Sequence, residues 1–181
     1  MTPENESTER SRNIWAPWRM EYIDALNDGG PADGCFLCRY VGQADQDAKN
    51  LVLRRGRKSF VLLNRFPYTG GHSLVAPYAH APDLESLDDQ TLLEMMHFLR
   101  DMQRVLTAAL RCDGFNIGIN IGRCAGAGLP GHLHLHIVPR WAGDTNFMPV
   151  FGGVRVIPVT LEAMYATLRK TGQELKLPDS P

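Results

Sequence analysis

The chain has 181 residues, with 19 basic and 20 acidic side chains that give a formal net charge of −1. This balance excludes a protein that binds nucleic acid through a strongly basic surface, and no apolar run is long enough to span a membrane. The first residues are polar and lack the apolar core of a secretory signal. We therefore expect a single cytoplasmic domain over 13–176, with disordered tails over 1–12 and 177–181.

The first motif is the pair Cys35 and Cys38, a Cys-x-x-Cys spacing that follows a glycine-containing loop. In a reducing compartment such a pair is more often a metal clip or a redox motif than a structural disulfide. A redox pair is expected at a strand-to-helix turn of a βαβ unit, and no such pattern precedes these cysteines. The sequence favours a metal site, and two reduced cysteines packed near the core are the alternative.

Three strands are predicted in the first half of the chain. Residues 51–53 and 59–64 are rich in apolar side chains and flank a basic turn, which favours a hairpin. A turn over 66–71 leads into a third strand over 72–77. A fourth strand is predicted later, over 115–121, where apolar residues alternate with small or polar ones.

Two helices are predicted, the clearer one over 89–111, because its apolar residues recur every three or four positions. Ser86 or Asp88 can cap its start, and Gly114 follows its end. The apolar stripe consists of Leu92, Met95, Met96, Leu99, Met102, Leu106 and Leu110. A second helix is predicted after Thr160. Separate helices and strands with short connections predict an α+β fold with an antiparallel sheet.

The most informative segment is 131–139, where His132, His134 and His136 alternate with apolar residues. Strict alternation predicts a β-strand with the imidazoles on one face and the apolar side chains on the other. Imidazole titrates near neutrality and serves as nucleophile, proton carrier or metal ligand. A solvated His-rich strand is the alternative, but the whole chain has only six histidines, so three in register indicate a site.

The glycine-rich loop 122–131 precedes these histidines. Small residues let backbone N–H groups approach phosphate oxygens closely, so Gly126, Ala127 and Gly128 are candidates for binding an anionic substrate. His136 can add a hydrogen bond to the same oxygens. His134 can attack phosphorus as a neutral imidazole, provided that an acceptor fixes its other ring nitrogen. These residues point to chemistry on a phosphate group.

The stretch from His132 to Val138 matches the alternating motif of the histidine triad (HIT) superfamily, and the whole similarity covers about residues 35–146. Residues 60–67 and 70–77 resemble the N-terminal hairpin of that family, and 120–126 resembles the segment before the triad. Further segments resemble the branch that contains fragile-histidine-triad proteins and diadenosine tetraphosphate phosphorylases and hydrolases. They are 15–19, 125–128, 136–141 and 143–149.

The resemblance implies a role for each histidine of the triad. His134 corresponds to the nucleophile that becomes a covalent nucleotidyl-histidine, His136 to the residue that contacts the attacked phosphate, and His132 to a residue that buttresses the site. The implied fold is an antiparallel sheet with two helices. The implied assembly is a homodimer in which the two sheets become continuous.

Three residues outside the triad are also implied in substrate binding. Asn64 falls where the family binds ribose hydroxyls, His72 where another histidine supports the triad, and Asn120 at a phosphate or leaving-group contact. Many relatives carry a Gln or a Ser shortly before the triad, but residues 126–131 offer no polar side chain. This departure leaves open whether water or inorganic phosphate is the acceptor.

The resemblance also supplies partners for the cysteine pair. Several bacterial relatives bind zinc with Cys-x-x-Cys, a histidine just after the third strand and the first triad histidine. The corresponding residues here are Cys35, Cys38, His80 and His132. Two thiolates and two imidazoles suit a closed tetrahedral site for structural zinc. No organic cofactor is implied.

The implied activity is cleavage of a dinucleoside polyphosphate, such as diadenosine tetraphosphate, through a nucleotidyl group on His134. A nucleoside phosphoramidase or a nucleotidyl-sulfate hydrolase would use the same histidine with another leaving group. A non-catalytic nucleotide-binding module would not need the nucleophile. A zinc enzyme with the histidines as catalytic ligands is a third rival.

Overall fold

The computed structural model describes residues 34–144, 157 and 159–177. In these residues the chain forms one five-stranded antiparallel sheet, with the strand order β1-β2-β3-β5-β4. The strands are β1 Val52–Arg55, β2 Ser59–Leu63, β3 Ser73–Pro77, β4 Gly114–Ile119 and β5 Leu135–Arg140. The predicted α+β class and antiparallel sheet are confirmed. The predicted N-terminal tail and all but the first residue of the C-terminal one lie outside the described residues.

The described α-helices are α1 Phe36–Val41, α2 Asp47–Asn50, α3 Asp89–Leu110 and α4 Leu161–Glu174, and short 3-10 helices span Ala44–Gln46 and Arg123–Ala125. The two long ones were predicted. Asp88, one of the two predicted caps of α3, accepts a hydrogen bond from the N–H of Thr91, and Thr160 caps α4 by accepting one from the N–H of Ala163. Besides the two predicted helices the structure contains α1 and α2, which are too short for a periodic pattern to register. None of the described helices has the length and apolarity needed to cross a bilayer.

The end of α3 and one position of its apolar stripe differ from the prediction. Arg111, rather than Gly114, closes the helix in the left-handed conformation with φ of 51°. Met96 is 57% exposed, whereas Phe98 and Val105, which the predicted stripe omits, are buried. The buried face of α3 is therefore rotated slightly from the stripe that spacing alone predicts.

The two faces of the sheet are covered differently. Helices α3 and α4 pack on one face, around a core that includes Val61, Val75 and Ile137. Helix α1 lies on the other face, against Phe60, Leu62, Leu74 and neighbouring side chains. Opposite residues of paired strands share a face, and Leu62 pairs with Leu74, which pairs with His136. The third triad histidine therefore lies on the face that α1 covers.

Glu94 of α3 holds the turn between β1 and β2. Its buried carboxylate accepts hydrogen bonds of 2.6 to 3.1 Å from the N–H groups of Arg57, Lys58 and Ser59 and from the Ser59 hydroxyl. Burial raises the pKa of Glu94, but these donors outweigh burial and hold the pKa below its ordinary value. The ionised carboxylate therefore stabilises the folded state.

We expect Glu94→Gln to lower the free energy of unfolding at neutral pH by about 2 kcal/mol, because an amide nitrogen cannot accept from these N–H groups. Since the folded pKa is depressed, the carboxylate stabilises the protein above its unfolded pKa, and this is lost as pH falls through the folded pKa. Urea unfolding should therefore show the difference between the two proteins shrinking in acid. The exposed Glu85→Gln is the control, and a pH-independent difference contradicts the explanation.

Candidate active site and metal centre

His134 is held in one tautomer by the backbone. Its Nδ1 lies 2.9 Å from the carbonyl oxygen of His132, and only a protonated nitrogen can donate to a carbonyl. Nε2 therefore keeps its lone pair. The side chain is 7% exposed, and burial lowers the pKa of His134, although the hydrogen bond to His132 opposes this effect. The arrangement favours a neutral imidazole with a nucleophilic Nε2.

A chain of hydrogen bonds fixes the tautomer of His136 as well. The backbone N–H of Tyr68 donates to Nδ1 of His72 at 3.1 Å, so the proton of His72 is on Nε2. That Nε2 lies 3.0 Å from Nδ1 of His136 and donates to it. Nε2 of His136 therefore carries a proton. The rings of His134 and His136 are 4.9 Å apart between centroids, so a ring whose Nε2 keeps its lone pair lies beside a ring whose Nε2 carries a proton.

Two other residues surround this histidine chain. Asn64, predicted to bind ribose, has its Oδ1 hydrogen-bonded to the N–H of Phe66 and its Nδ2 3.4 Å from Nδ1 of His72. Tyr68 stacks on His72, with ring centroids 4.6 Å apart, and also faces His136. Sequence reasoning missed Tyr68. The only available signal was its place in the turn that leads to His72.

The glycine-rich loop is held by hydrogen bonds among its own residues and Asn120. Gly126 has a φ of 80°, and its N–H donates to the carbonyl of Arg123, while the N–H of Ala127 donates to Gly122. Asn120 donates from Nδ2 to the carbonyl of Gly126 at 3.3 Å. Two of the three amides that sequence analysis assigned to phosphate therefore already have carbonyl partners.

The predicted histidine strand starts later than expected. Strand β5 begins at Leu135, so His132 and His134 precede it and only His136 lies within it. The reason is that the N–H of Leu133 donates to the carbonyl of Ala81, a residue beyond the end of β3. The predicted alternation of polar and core-facing side chains is nevertheless present. The apolar residues between and after the histidines lie in the core beneath α3, and they are Leu133, Leu135 and Ile137.

The structure brings the four predicted metal ligands together. The ligand atoms of Cys35, Cys38, His80 and His132 all lie within 4.8 Å of one another. Nδ1 of His132 is 3.3 Å from Sγ of Cys35 and 3.4 Å from Sγ of Cys38, and Nδ1 of His80 is 3.2 Å from the latter sulfur. Nε2 of His132 donates to the carbonyl of Pro77 at 2.9 Å, so its Nδ1 lone pair faces the cluster.

Burial has opposite effects on the imidazole and the thiol of this cluster. Burial is the main reason that the pKa of His132 is lowered to about 4, which keeps the imidazole in its ligand form. Burial, together with the hydrogen bond to Cys35, raises the pKa of Cys38 to about 11. A thiol must lose its proton to bind a metal, so this site needs a strongly attracted cation to hold the thiolate. Two sulfurs and two imidazole nitrogens are the donor set that zinc prefers.

A cavity of about 570 Å³ opens on the same face of the sheet as His136. Leu62 and Leu74 form its apolar floor, and Phe36, Tyr40 and Phe66 supply aromatic walls. Its polar lining residues are Arg39, Gln43, Gln46, Lys49, Asn50, Asn64 and Arg65. Because Leu74 is the cross-strand partner of His136, the cavity lies beside the histidines.

Known proteins resemble this chain in sequence and in structure. Residues 45–143 match the protein family described as HIT domain. The chain is 38% identical over 156 residues to a Mycobacterium tuberculosis protein named AP-4-A phosphorylase, across 84% of this chain and 80% of that relative. It is 34% identical over 93 residues to the asymmetrical bis(5'-nucleosyl)-tetraphosphatase of Schizosaccharomyces pombe, across 51% of this chain and 50% of that protein.

Among solved structures, a Zn-bound histidine triad family protein from Mycobacterium smegmatis has the same fold, with a TM-score of 0.65. It is 30% identical in sequence, and the superposition covers 80% of this chain and 97% of that one.

Proposed function

The chain belongs to the histidine triad (HIT) family, and on that basis we propose that it cleaves dinucleoside polyphosphates through a covalent nucleotidyl group on His134. Its AP-4-A phosphorylase and tetraphosphatase relatives are enzymes that act on nucleotide phosphoanhydrides. The observation that carries the proposal is the tautomer pair: Nε2 of His134 is nucleophilic and Nε2 of His136 is a donor. A protein that only binds nucleotides would not need the nucleophilic Nε2 of His134.

In the proposed reaction, Nε2 of His134 attacks the α-phosphorus of the substrate. A nitrogen–phosphorus bond forms and the bond from phosphorus to the bridging oxygen breaks, so a nucleoside polyphosphate leaves. His136 donates a hydrogen bond from Nε2 to the phosphate oxygens and stabilises the charge that develops there. Water or inorganic phosphate then attacks the same phosphorus and releases the nucleotide from His134.

The cavity over Leu62 and Leu74 is the proposed nucleoside pocket. Its size and apolar walls suit a nucleobase, and Asn64 lies between the cavity and the histidine chain, where a ribose would be. Of the loop residues assigned to phosphate, Gly128 keeps a backbone N–H without a partner in the described part of the chain. Gly126 and Ala127 shape this loop, and Asn120 braces it.

Product analysis tests this function. Diadenosine tetraphosphate is incubated with the protein, with and without inorganic phosphate. ADP and ATP formed only with phosphate identify a phosphorylase, whereas AMP and ATP formed without it identify an asymmetrical hydrolase. Absence of cleavage under both conditions overturns the proposal and directs the search to nucleoside phosphoramidates and nucleotidyl sulfates.

We also propose that Cys35, Cys38, His80 and His132 hold structural zinc. The described geometry of the four ligand atoms supports this, as does the Zn-bound relative. The carbonyl of His132 accepts the Nδ1 proton of His134, so a metal-bound His132 would steady the nucleophile without touching substrate. The site requires reduced thiols, which supports a reducing compartment such as the cytoplasm.

The proposed assembly is a homodimer with a continuous sheet, formed along the outer edge of β4. This strand is at one end of the sheet and has no neighbour on its outer side within the described residues. Ile117 of β4 is 44% exposed, and an exposed strand edge is a ready template for pairing with another chain.

His72 tests the hydrogen-bond chain that orients His136. We expect His72→Phe to lower kcat by about tenfold or more with little change in KM, because an aromatic ring of similar shape remains but the donor to His136 is lost. Steady-state kinetics on diadenosine tetraphosphate measure this. His97→Phe, on α3 at the opposite face of the sheet, is the matched control. Unchanged kcat in His72→Phe contradicts the orienting role.

A further inference from the structure

The nucleoside cavity contains a pair of hydrogen-bonded amide side chains, one buried and one half-buried. Asn50, at the end of α2, is 5% exposed, and its Nδ2 donates to Oε1 of Gln43 at 3.1 Å. Both residues line the cavity of about 570 Å³. Sequence analysis gave neither residue a role, because a single Asn and a single Gln in an acidic, irregular segment carry no pattern.

The hydrogen bond between the two amides determines which polar atom of each side chain remains available to a ligand. Asn50 keeps Oδ1 as an acceptor and Gln43 keeps Nε2 as a donor, and neither atom has a hydrogen-bond partner in the part of the chain that the structure describes. Buried polar groups in folded proteins are nearly always hydrogen-bonded, so an unsatisfied acceptor at a cavity wall points to a ligand that supplies a donor.

We propose that Gln43 and Asn50 recognise the hydrogen-bonding edge of the nucleobase, and the direction of their mutual hydrogen bond matches adenine. The exocyclic amino group of adenine donates to Oδ1 of Asn50, and its ring nitrogen N1 accepts from Nε2 of Gln43. Guanine has an acceptor, O6, where adenine has its amino group, and a donor, N1–H, where adenine has an acceptor. It matches only if both amide groups are rotated by 180°. This inference rests on the proposed function, which places a nucleoside in this cavity.

The layout of the sheet agrees with this placement. Leu62 is two strands away from His136, which is roughly 10 Å at the usual strand spacing. Strand β1 lies next to β2 on the side away from the histidines, and Asn50 comes just before it in the chain. The carbonyl of Leu51 accepts a hydrogen bond from the N–H of Leu63, which keeps Asn50 close to the end of β2. A nucleotide with its phosphate at the histidines and its base over Leu62 would therefore direct the edge of the base towards the amide pair.

Nucleotide binding tests the inference without requiring turnover. Isothermal titration calorimetry compares AMP with purine riboside 5'-monophosphate, which lacks the 6-amino group, on the wild type and on Asn50→Leu. The wild type is expected to bind AMP about tenfold more tightly than the analogue, the effect of one buried hydrogen bond, and Asn50→Leu to bind the two equally. The inference is overturned if the variant keeps the wild-type ratio or weakens both ligands to the same extent.

A second variant covers the case in which Asn50→Leu does not fold. Gln43→Leu, at a half-buried position, is expected to lose the preference for AMP over 1-deaza-AMP, which lacks the N1 acceptor. Gln90→Leu, an exposed amide on α3, is the matched control and should keep both preferences. Preserved preference in Gln43→Leu, or no binding of AMP to the wild type, overturns the inference.

These outcomes separate the inference from the proposed function. Amide-dependent selection of AMP by a protein that cleaves no dinucleotide would overturn only the proposed function. Cleavage of diadenosine tetraphosphate by a protein whose base preference survives both substitutions would overturn only the inference.

Discussion

His134→Ala is expected to reduce the cleavage of diadenosine tetraphosphate by about four orders of magnitude or more, because the loss of a covalent nucleophile removes the reaction path itself. The measurement is the initial rate of nucleotide release under saturating substrate. AMP binding should change little, since the pocket is lined by other residues. His97→Ala is the matched control. Substantial cleavage by His134→Ala would show that this imidazole is not the nucleophile.

A cavity-forming variant makes the same test more specific. In His134→Gly the space of the ring is left open, and added imidazole should restore part of the activity by attacking phosphorus in its place. Rescue by imidazole distinguishes a missing nucleophile from a disturbed fold. Rescue by zinc salts instead of imidazole would support the rival in which the histidines are catalytic metal ligands.

Cys35→Ser and Cys38→Ser are expected to lower Tm by about 10 °C or more, because loss of a metal ligand removes the link between α1 and the segment around His132. Cys35 is buried at 4% exposure, so the stabilising contact lies within the domain. Thermal unfolding of the metal-loaded proteins measures this effect. Cys124→Ser, an exposed thiol outside the cluster, is the control and should leave Tm unchanged.

Metal analysis completes this prediction. The purified wild type should contain about one zinc ion per chain, as a closed tetrahedral site requires. A chelator should inactivate the enzyme slowly, in step with unfolding, because the metal stabilises the fold and does not contact substrate. Immediate loss of activity in a fully folded protein, or an unchanged Tm in both serine variants, contradicts a structural site.

Periodicity predicted those parts of the fold that repeat. The cap of α3, the start of α4 after Thr160 and the alternation around His134 are local patterns with a direct physical cause, and the structure confirms them. Met96 was assigned to the wrong face because spacing gives the width of a stripe but not its centre. Helices α1 and α2, of six and four residues, are stabilised by tertiary contacts that no short pattern encodes.

The candidate site was predictable to the extent that its residues stand close together in sequence or match the family motif. The family resemblance joined Cys35 and Cys38 to His80 and His132, which the structure brings together. The tautomer of His136 is set through His72 by the backbone N–H of Tyr68. The role of Gln43 and Asn50 becomes visible only because both line the same cavity. Both arise from contacts between residues that no local sequence pattern links.

Trapping the covalent intermediate tests the central claim most directly. The enzyme is mixed with diadenosine tetraphosphate, quenched in alkali to preserve the nitrogen–phosphorus bond, digested and analysed by mass spectrometry. The predicted result is a single adenylyl group on His134 that disappears when the acceptor is allowed to react before the quench. Rapid cleavage with no adenylyl group on the protein, or with that group on another residue, would contradict nucleotidyl transfer through His134.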